Sequence, residues 1–229
     1  MKALFTLLLT AVAVSVFAQK PVDIEPYTSL VISRGVDVRL VKSNSNVAKV
    51  EVNGIDFDDL IIENKDNELT IKVATKSLWQ EMQDNYWWAR IELPYNVITN
   101  LEVLTGAKLS AKEVFKGEDI DMQVSMGGEI ELDIDLELLI IDASMGGLAE
   151  FTGKAKIVEI NASMGSETDL RELEAEEVNA KSTMGSEVRV HATKSFDGKA
   201  VMGGYIRVTG NPERFYQDTS MGGEISSEK

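Results

Sequence analysis

A chain of 229 residues without a single cysteine has no disulfide, no thiolate metal site and no cysteine to carry a lipid. Its formal net charge of −15 is the reverse of the basic footprint that nucleic acid or an anionic membrane surface requires. What remains is an acidic chain, long enough for one sizeable core, that must hold itself by burial and backbone hydrogen bonds.

Residues 1–18 read as a secretory signal peptide. Lys2 supplies the positive start, residues 4–16 are apolar except for Thr6, Thr10 and Ser15, and Val16-Phe17-Ala18 places the cut after Ala18. The run is too short for a membrane anchor, and no later segment approaches 18 consecutive apolar residues, so no transmembrane segment is expected. Export to the periplasm, the cell surface or the exterior follows. The remainder, residues 19–229, is expected to form one domain: an irregular β region over 19–117 and a regular coil over 118–229.

In the irregular part, residues 29–42 alternate around Gly35, with Leu30, Ile32, Val36, Val38 and Leu40 on one side. A short strand is expected at 47–52. Strands at 60–63 and 69–73 flank a turn at 64–68, a hairpin signature. No helix is expected beyond a single turn over 77–85. Residues 87–93 alternate again up to Pro94, and residues 98–112 alternate around Thr105-Gly106. Trp79, Tyr86, Trp87 and Trp88 fall close together. If Trp87 points inward with Ala89, Ile91 and Leu93, then Tyr86 and Trp88 point outward with Arg90 and Glu92. The first expectation for this cluster is a cap over the end or flank of the coil, which repeat proteins need. The second is a stacking platform at Tyr86 and Trp88 for a glycan or a cell-surface protein.

The second half carries a repeat. Met126-Gly127, Met145-Gly146, Met164-Gly165, Met184-Gly185, Met202-Gly203 and Met221-Gly222 are separated by 19, 19, 20, 18 and 19 residues. Thr105-Gly106 lies about one period ahead as a degenerate copy. Aligned on the methionine, Ile120, Leu139, Val158, Val178, Phe196 and Phe215 form an apolar column, and Ile130, Ala149, Thr168, Val188, Ile206 and Ile225 form another. The positions between them are polar. Alternation of period two, repeated in one direction, predicts parallel strands stacked about 4.8 Å apart. The fold class is therefore all-β: a parallel β-helix, or β-solenoid, of about 19 residues per rung, preceded by irregular strands. Right-handed crossovers are the expectation. The glycine after each methionine is expected to serve a sharp corner. The methionines share parity with the core columns and are expected to fill the corner from inside, rather than to form a thioether metal site. The serines before them are expected to form a hydroxyl ladder.

The exported start, the strand Ser33-Arg34-Gly35-Val36-Asp37-Val38, the segment Ile91-Glu92-Leu93-Pro94 and rungs such as Ala143-Ser144-Met145-Gly146-Gly147 together resemble the head GIN domain family of bacterial adhesin-like proteins. The family's Gly-Ile-Asn signature corresponds to Gly35-Val36-Asp37, a departure at two of three residues. The resemblance spans nearly the whole exported chain. It implies a right-handed parallel β-helix, and it carries no catalytic residues.

A non-catalytic surface-interaction or envelope scaffold protein is the expected function, with no cofactor and no metal. The alternative is a carbohydrate-active β-helix enzyme, similar to pectin lyases or glycosidases. Asp133 with Asp135, Asp119 with Asp121, and Asp56 with Asp58 and Asp59 are its candidate carboxylates. The outward columns are acidic throughout, so such pairs arise without catalytic purpose. His191, the lone histidine, is expected on the surface. Calcium on the acidic columns and self-association through bare sheet edges are further options.

Overall fold

The computed structural model describes residues 19–74 and 87–228. The expected turn over 77–85, Trp79 and Tyr86 lie outside the described residues.

The strands come in two groups. The first comprises β1 (Lys20–Asp23), β2 (Ser29–Ser33), β3 (Val36–Lys42), β4 (Val47–Asn53), β5 (Leu60–Lys65), β6 (Glu68–Val73), β7 (Trp88–Tyr95), β8 (Asn100–Leu104), β9 (Lys108–Ala111) and β10 (Phe115–Lys116). The second comprises β11 (Asp119–Ser125), β12 (Glu129–Ala143), β13 (Leu148–Ala162), β14 (Glu167–Thr183), β15 (Glu187–Val201), β16 (Tyr205–Thr209), β17 (Arg214–Ser220) and β18 (Glu224–Ser227). A 3-10 turn at Phe57–Asp59 is the one helical element among the described residues.

The second group is the solenoid. β11 through β15 pair in parallel, each with the next, and the last rung continues with β17 on β15 and β18 on β16. The columns expected from sequence are the observed registers. Ile130, Ala149, Thr168, Val188, Ile206 and Ile225 lie in one line. Ile120, Leu139, Val158, Val178, Phe196 and Phe215 lie in the other. The core runs between the two lines, and all but the last members of these columns are buried.

The coil begins earlier than the methionine repeat. β2 pairs in parallel with β8, and β3 with β9, so Arg34-Gly35 is itself a corner stacked on Thr105-Gly106. The Gly35 N–H donates to the Thr105 carbonyl at 3.1 Å. Between these two rungs the chain makes an excursion that closes the coil's end. β5 and β6 form the expected hairpin, turning at Asp66 and Asn67 with φ of 53° and 66°. β6 then adds in parallel to β2. Past the Arg34-Gly35 corner β7 adds in parallel to β3, and β4 and β1 follow antiparallel. Trp87 packs against the core, its ring lying where a Cβ on Gly35 would stand 2.8 Å away.

The corners correct one expectation. Met126, Met145, Met164, Met184 and Met202 are 46–49% exposed, and Met221 is 77% exposed. None fills the core. Each methionine has φ near 50° and the following glycine has φ of 68–77°. Two successive left-handed residues are the signature of a type I′ turn. It is closed by bonds such as Gly128 N–H to the Ser125 carbonyl at 3.0 Å and Gly147 N–H to the Ser144 carbonyl at 2.9 Å. Left-handed residues break the in-out alternation, so counting by twos through the corner put the methionine on the wrong side. Val124, Gly128 and Ile130 do face inward, while Met126 and Gly127 swing out. A left-handed conformation costs a side chain such as methionine about 1–2 kcal/mol. The glycine beside it escapes that cost and has open space around it.

The hydroxyl column bonds the backbone at Thr183. In that column Thr183 Oγ1 donates to the Ala162 carbonyl of the preceding rung at 3.4 Å; beside it Ser166 Oγ donates to the Ala143 carbonyl at 3.0 Å, and the Ser182 and Ser186 hydroxyls meet at 2.8 Å within one rung.

Candidate interaction surfaces

No described helix is long and apolar enough to cross a membrane. The coil presents its outward columns and its corners to solvent.

The first surface lies on β3, β7 and β4, where alternation turns Trp88, Arg90 and Glu92 outward. Trp88 is half-buried, and the Arg90 guanidinium sits 4.6 Å over its ring. Arg90 Nε also lies 3.6 Å from Asp37, while Lys49 Nζ donates to Glu92 at 2.9 Å. That hydrogen bond is the main reason the Glu92 carboxyl is held below its ordinary range. Asp37, Arg39, Lys49, Glu51, Arg90 and Glu92 line a shallow groove of about 410 Å³, and Trp88 stands beside it through its contact with Arg90. The outward parity expected for Trp88 is observed. One face of its ring is covered by Arg90, and its proposed neighbour Tyr86 is outside the described residues.

The second surface went unnoticed in the sequence. Glu159, Asn179, Asp197 and Tyr216 stand in register on successive rungs, pointing outward from β13, β14, β15 and β17. They edge a groove of about 580 Å³ that also takes in Ile157 and Phe215. Tyr216 is 63% exposed. Phe215 lies in the inward column and stacks on Phe196 with ring centroids 5.1 Å apart, yet it is exposed at this end of the groove. The available signal was the parity of Tyr216, an aromatic residue on an outward column that is polar from Glu159 through Asn179 to Asp197.

The candidate catalytic carboxylates lie on separate elements, Asp119 and Asp121 on β11, Asp133 and Asp135 on β12, and Asp56, Asp58 and Asp59 around the 3-10 turn. Asp135 lies between Lys116 at 3.6 Å and Lys154 at 3.5 Å. Asp133 packs over Gly153. Burial, and secondarily Asp142, push the Asp121 carboxyl above its usual range, but neither residue lines the grooves above. Asp56, Asp58 and Asp59 belong to the 3-10 turn and its entry. His191 is half-buried, its Nδ1 3.2 Å from Thr209 Oγ1. Among the described residues no cluster of three or more His, Cys, Asp or Glu side chains could hold a metal.

The third surface is the row of corners. Arg34, Thr105 and the six methionines occupy the same left-handed turn position on stacked rungs, joined by bonds such as Gly106 N–H to the Met126 carbonyl and Gly146 N–H to the Met164 carbonyl, each 3.2 Å.

The fold is shared with solved structures. A crystal structure of a putative adhesin from Bacteroides fragilis superposes with a TM-score of 0.78 at 14% identity, covering 92% of this chain and 96% of that one. A putative adhesin from Parabacteroides merdae gives 0.68 at 16% identity, covering 93% and 96%. A putative lipid binding protein from Parabacteroides distasonis gives 0.68 at 18% identity, with the same coverage. No curated protein matches the chain significantly. At the level of sequence, residues 26–212 match the family described as "Putative auto-transporter adhesin, head GIN domain", and the chain belongs to that family.

Proposed function

We propose that the protein is exported and works without catalysis, as an adhesin-like module that binds a glycan along the outer face of its coil. The apolar stretch at 4–16 followed by Val16-Phe17-Ala18 supports export. The observation that carries the reading is the groove edged by Glu159, Asn179, Asp197 and Tyr216. Carboxylate and amide groups repeated at the rung spacing of about 4.8 Å suit a chain of hydroxyl-bearing rings. An exposed tyrosine offers the flat apolar surface on which a sugar ring stacks. Trp88, with Tyr86, is the second candidate surface for a glycan or a cell-surface protein.

A glycan panel tests this directly. Tyr216→Ala is expected to weaken binding at least tenfold with the melting temperature little changed, because the ring is mostly in solvent. Retained binding in that variant and loss in Trp88→Ala would move the site to the first groove. Turnover of an acidic polysaccharide, abolished in Asp133→Asn or Asp135→Asn, would replace the proposal with the carbohydrate-active enzyme. Binding to lipid vesicles with no glycan retained would replace it with the activity suggested by the name of the Parabacteroides distasonis relative.

A further inference from the structure

Neither the core nor the backbone calls for methionine at the six corners. The methionines do not fill the core, and the backbone there disfavours any side chain other than glycine, asparagine or aspartate. Yet the same thioether recurs on six consecutive rungs at that position. The residue therefore serves something outside the coil, and its chemistry narrows what that is. A thioether is a weak, soft donor that is not protonated and prefers soft monovalent metal ions.

We propose that the methionine ladder binds copper(I), each ion held by the sulfurs of two or three neighbouring rungs. The spacing fits. The corners at Gly106 and Met126, Gly146 and Met164, and Gly165 and Met184 are joined by hydrogen bonds of 3.2 Å, and the strands flanking all the corners pair in register, so the corners repeat at the rung distance of about 4.8 Å. An ion between two sulfurs spans about twice a metal–sulfur bond of roughly 2.3 Å, which is about 4.6 Å. Side chains of this column do reach one another, since Thr105 Oγ1 lies 3.9 Å from Met126 Sδ. The three rotatable bonds of methionine accommodate the small remaining adjustment.

Selectivity follows from what surrounds the ladder. Cysteine is absent and the one histidine is engaged by Thr209, so nothing nearby favours zinc. Of the glutamates three residues beyond the methionines, Glu129 pairs with Lys108, and Glu167 and Glu187 pair with Arg189, so the attraction for cations comes from the chain's net charge of −15. The glycine next to each methionine leaves the approach uncrowded.

Silver(I), which is soft and does not cycle redox states in air, is the probe. In spectra of the chain carrying labelled methionine methyls, silver(I) is expected to shift the signals of the six ladder methionines and to saturate at two or three ions. Met122, fully buried, is the internal control and stays in place. Adjacency is tested with two triple variants that each lose three sulfurs. Met145→Leu/Met184→Leu/Met221→Leu leaves sulfurs only on alternate rungs, about 9.6 Å apart. Met184→Leu/Met202→Leu/Met221→Leu leaves three contiguous ones. Leucine keeps the side-chain volume, so both variants are expected to fold. The alternating variant is expected to bind silver(I) at least tenfold more weakly than the contiguous one, and anaerobic copper(I) to follow the same order. Equal binding by the two variants, unmoved ladder methyls, or equal methyl shifts with calcium would each overturn the proposal.

Discussion

At the scale of single residues, the coil tolerates local faults because each rung repeats the remedy. Thr168 stands in the inward column between Ala149 and Val188, and its hydroxyl is buried with no hydrogen-bond partner. Leaving a buried hydroxyl unmet costs about 1–3 kcal/mol. Thr168→Val keeps the shape and removes the fault, so a calorimetric melt is expected to rise by about 2–4 °C for each kcal/mol recovered. A fall in melting temperature would mean that the hydroxyl has a partner after all. The corners make the converse case. Met164 holds φ of 52°, which asparagine adopts more readily. Met164→Asn is expected to stabilise the chain by about 0.5–1 kcal/mol, read from urea midpoints. Destabilisation would show that the exposed thioether makes contacts the fold depends on.

At the scale of elements, much was legible because a parallel coil writes its register into the sequence. Leu139, Val158, Val178 and Phe196 could be aligned by eye because stacking puts equivalent positions above one another. The same stacking sets like charges together, and the structure shows how that is relieved. The Arg189 guanidinium, only 18% exposed, reaches across two rungs to Glu167, to Glu187 at 2.7 Å and to Asp169 at 3.4 Å. Asp169 is also bonded by Arg171 at 2.6 Å. Burial works to raise the Asp169 carboxyl, but the Arg171 hydrogen bonds and the Arg189 charge outweigh it and leave the group below the ordinary 3.8. A carboxyl depressed in the folded state contributes stability that is present above its unfolded pKa and lost as pH falls through the folded value. Arg189→Gln is therefore expected to cost about 1–2 kcal/mol at pH 7, the low end for a pair whose glutamates are partly solvated. That difference should shrink below about pH 3.8. A penalty that persists unchanged at pH 2 would point to lost packing of the arginine stem instead.

At the same scale lie three things the sequence did not disclose. Alternation specifies which strand residues face inward, but it says nothing about a turn whose central residues are left-handed, and so Met126 and its equivalents were placed inside. Nor does periodicity reveal which rung a strand joins when neighbours in space are far apart in the chain. Asn100 Nδ2 donates to Ser29 Oγ at 3.0 Å, a contact between residues 71 positions apart. The intervening excursion through β4 to β7 has antiparallel pairings and no repeat, so the Arg34-Gly35 corner could be recognised only once its partner at Thr105-Gly106 was seen. Tyr216 differs: its outward parity was legible, but the groove it edges with Glu159, Asn179 and Asp197 exists only once the rungs are stacked.

At the scale of the whole molecule, each rung touches mainly the rungs on either side, so stability is a sum of nearest-neighbour terms rather than a property of one closed core. The two ends differ in this respect. The end nearest β2 and β3 is covered by β6, β7 and the antiparallel strands beyond them. At the other end β17 pairs with β15 and β18 with β16, and no described strand pairs on their far sides. β17 is also largely exposed, Phe215 and Tyr216 included. Loss of structure should therefore start there and move inward, as local opening favours segments with few buried contacts. In hydrogen exchange the amides of 214–227 are expected to exchange first and those of β12, β13 and β14 last. Phe215→Ala should speed exchange only in the last two rungs. Val158→Ala, at a fully buried position midway along the coil, should speed it on both sides, since it weakens two interfaces at once. Uniform exchange across all rungs, or a Phe215→Ala effect that reaches β12, would show that the coil opens as one cooperative unit and that its two ends are energetically equivalent.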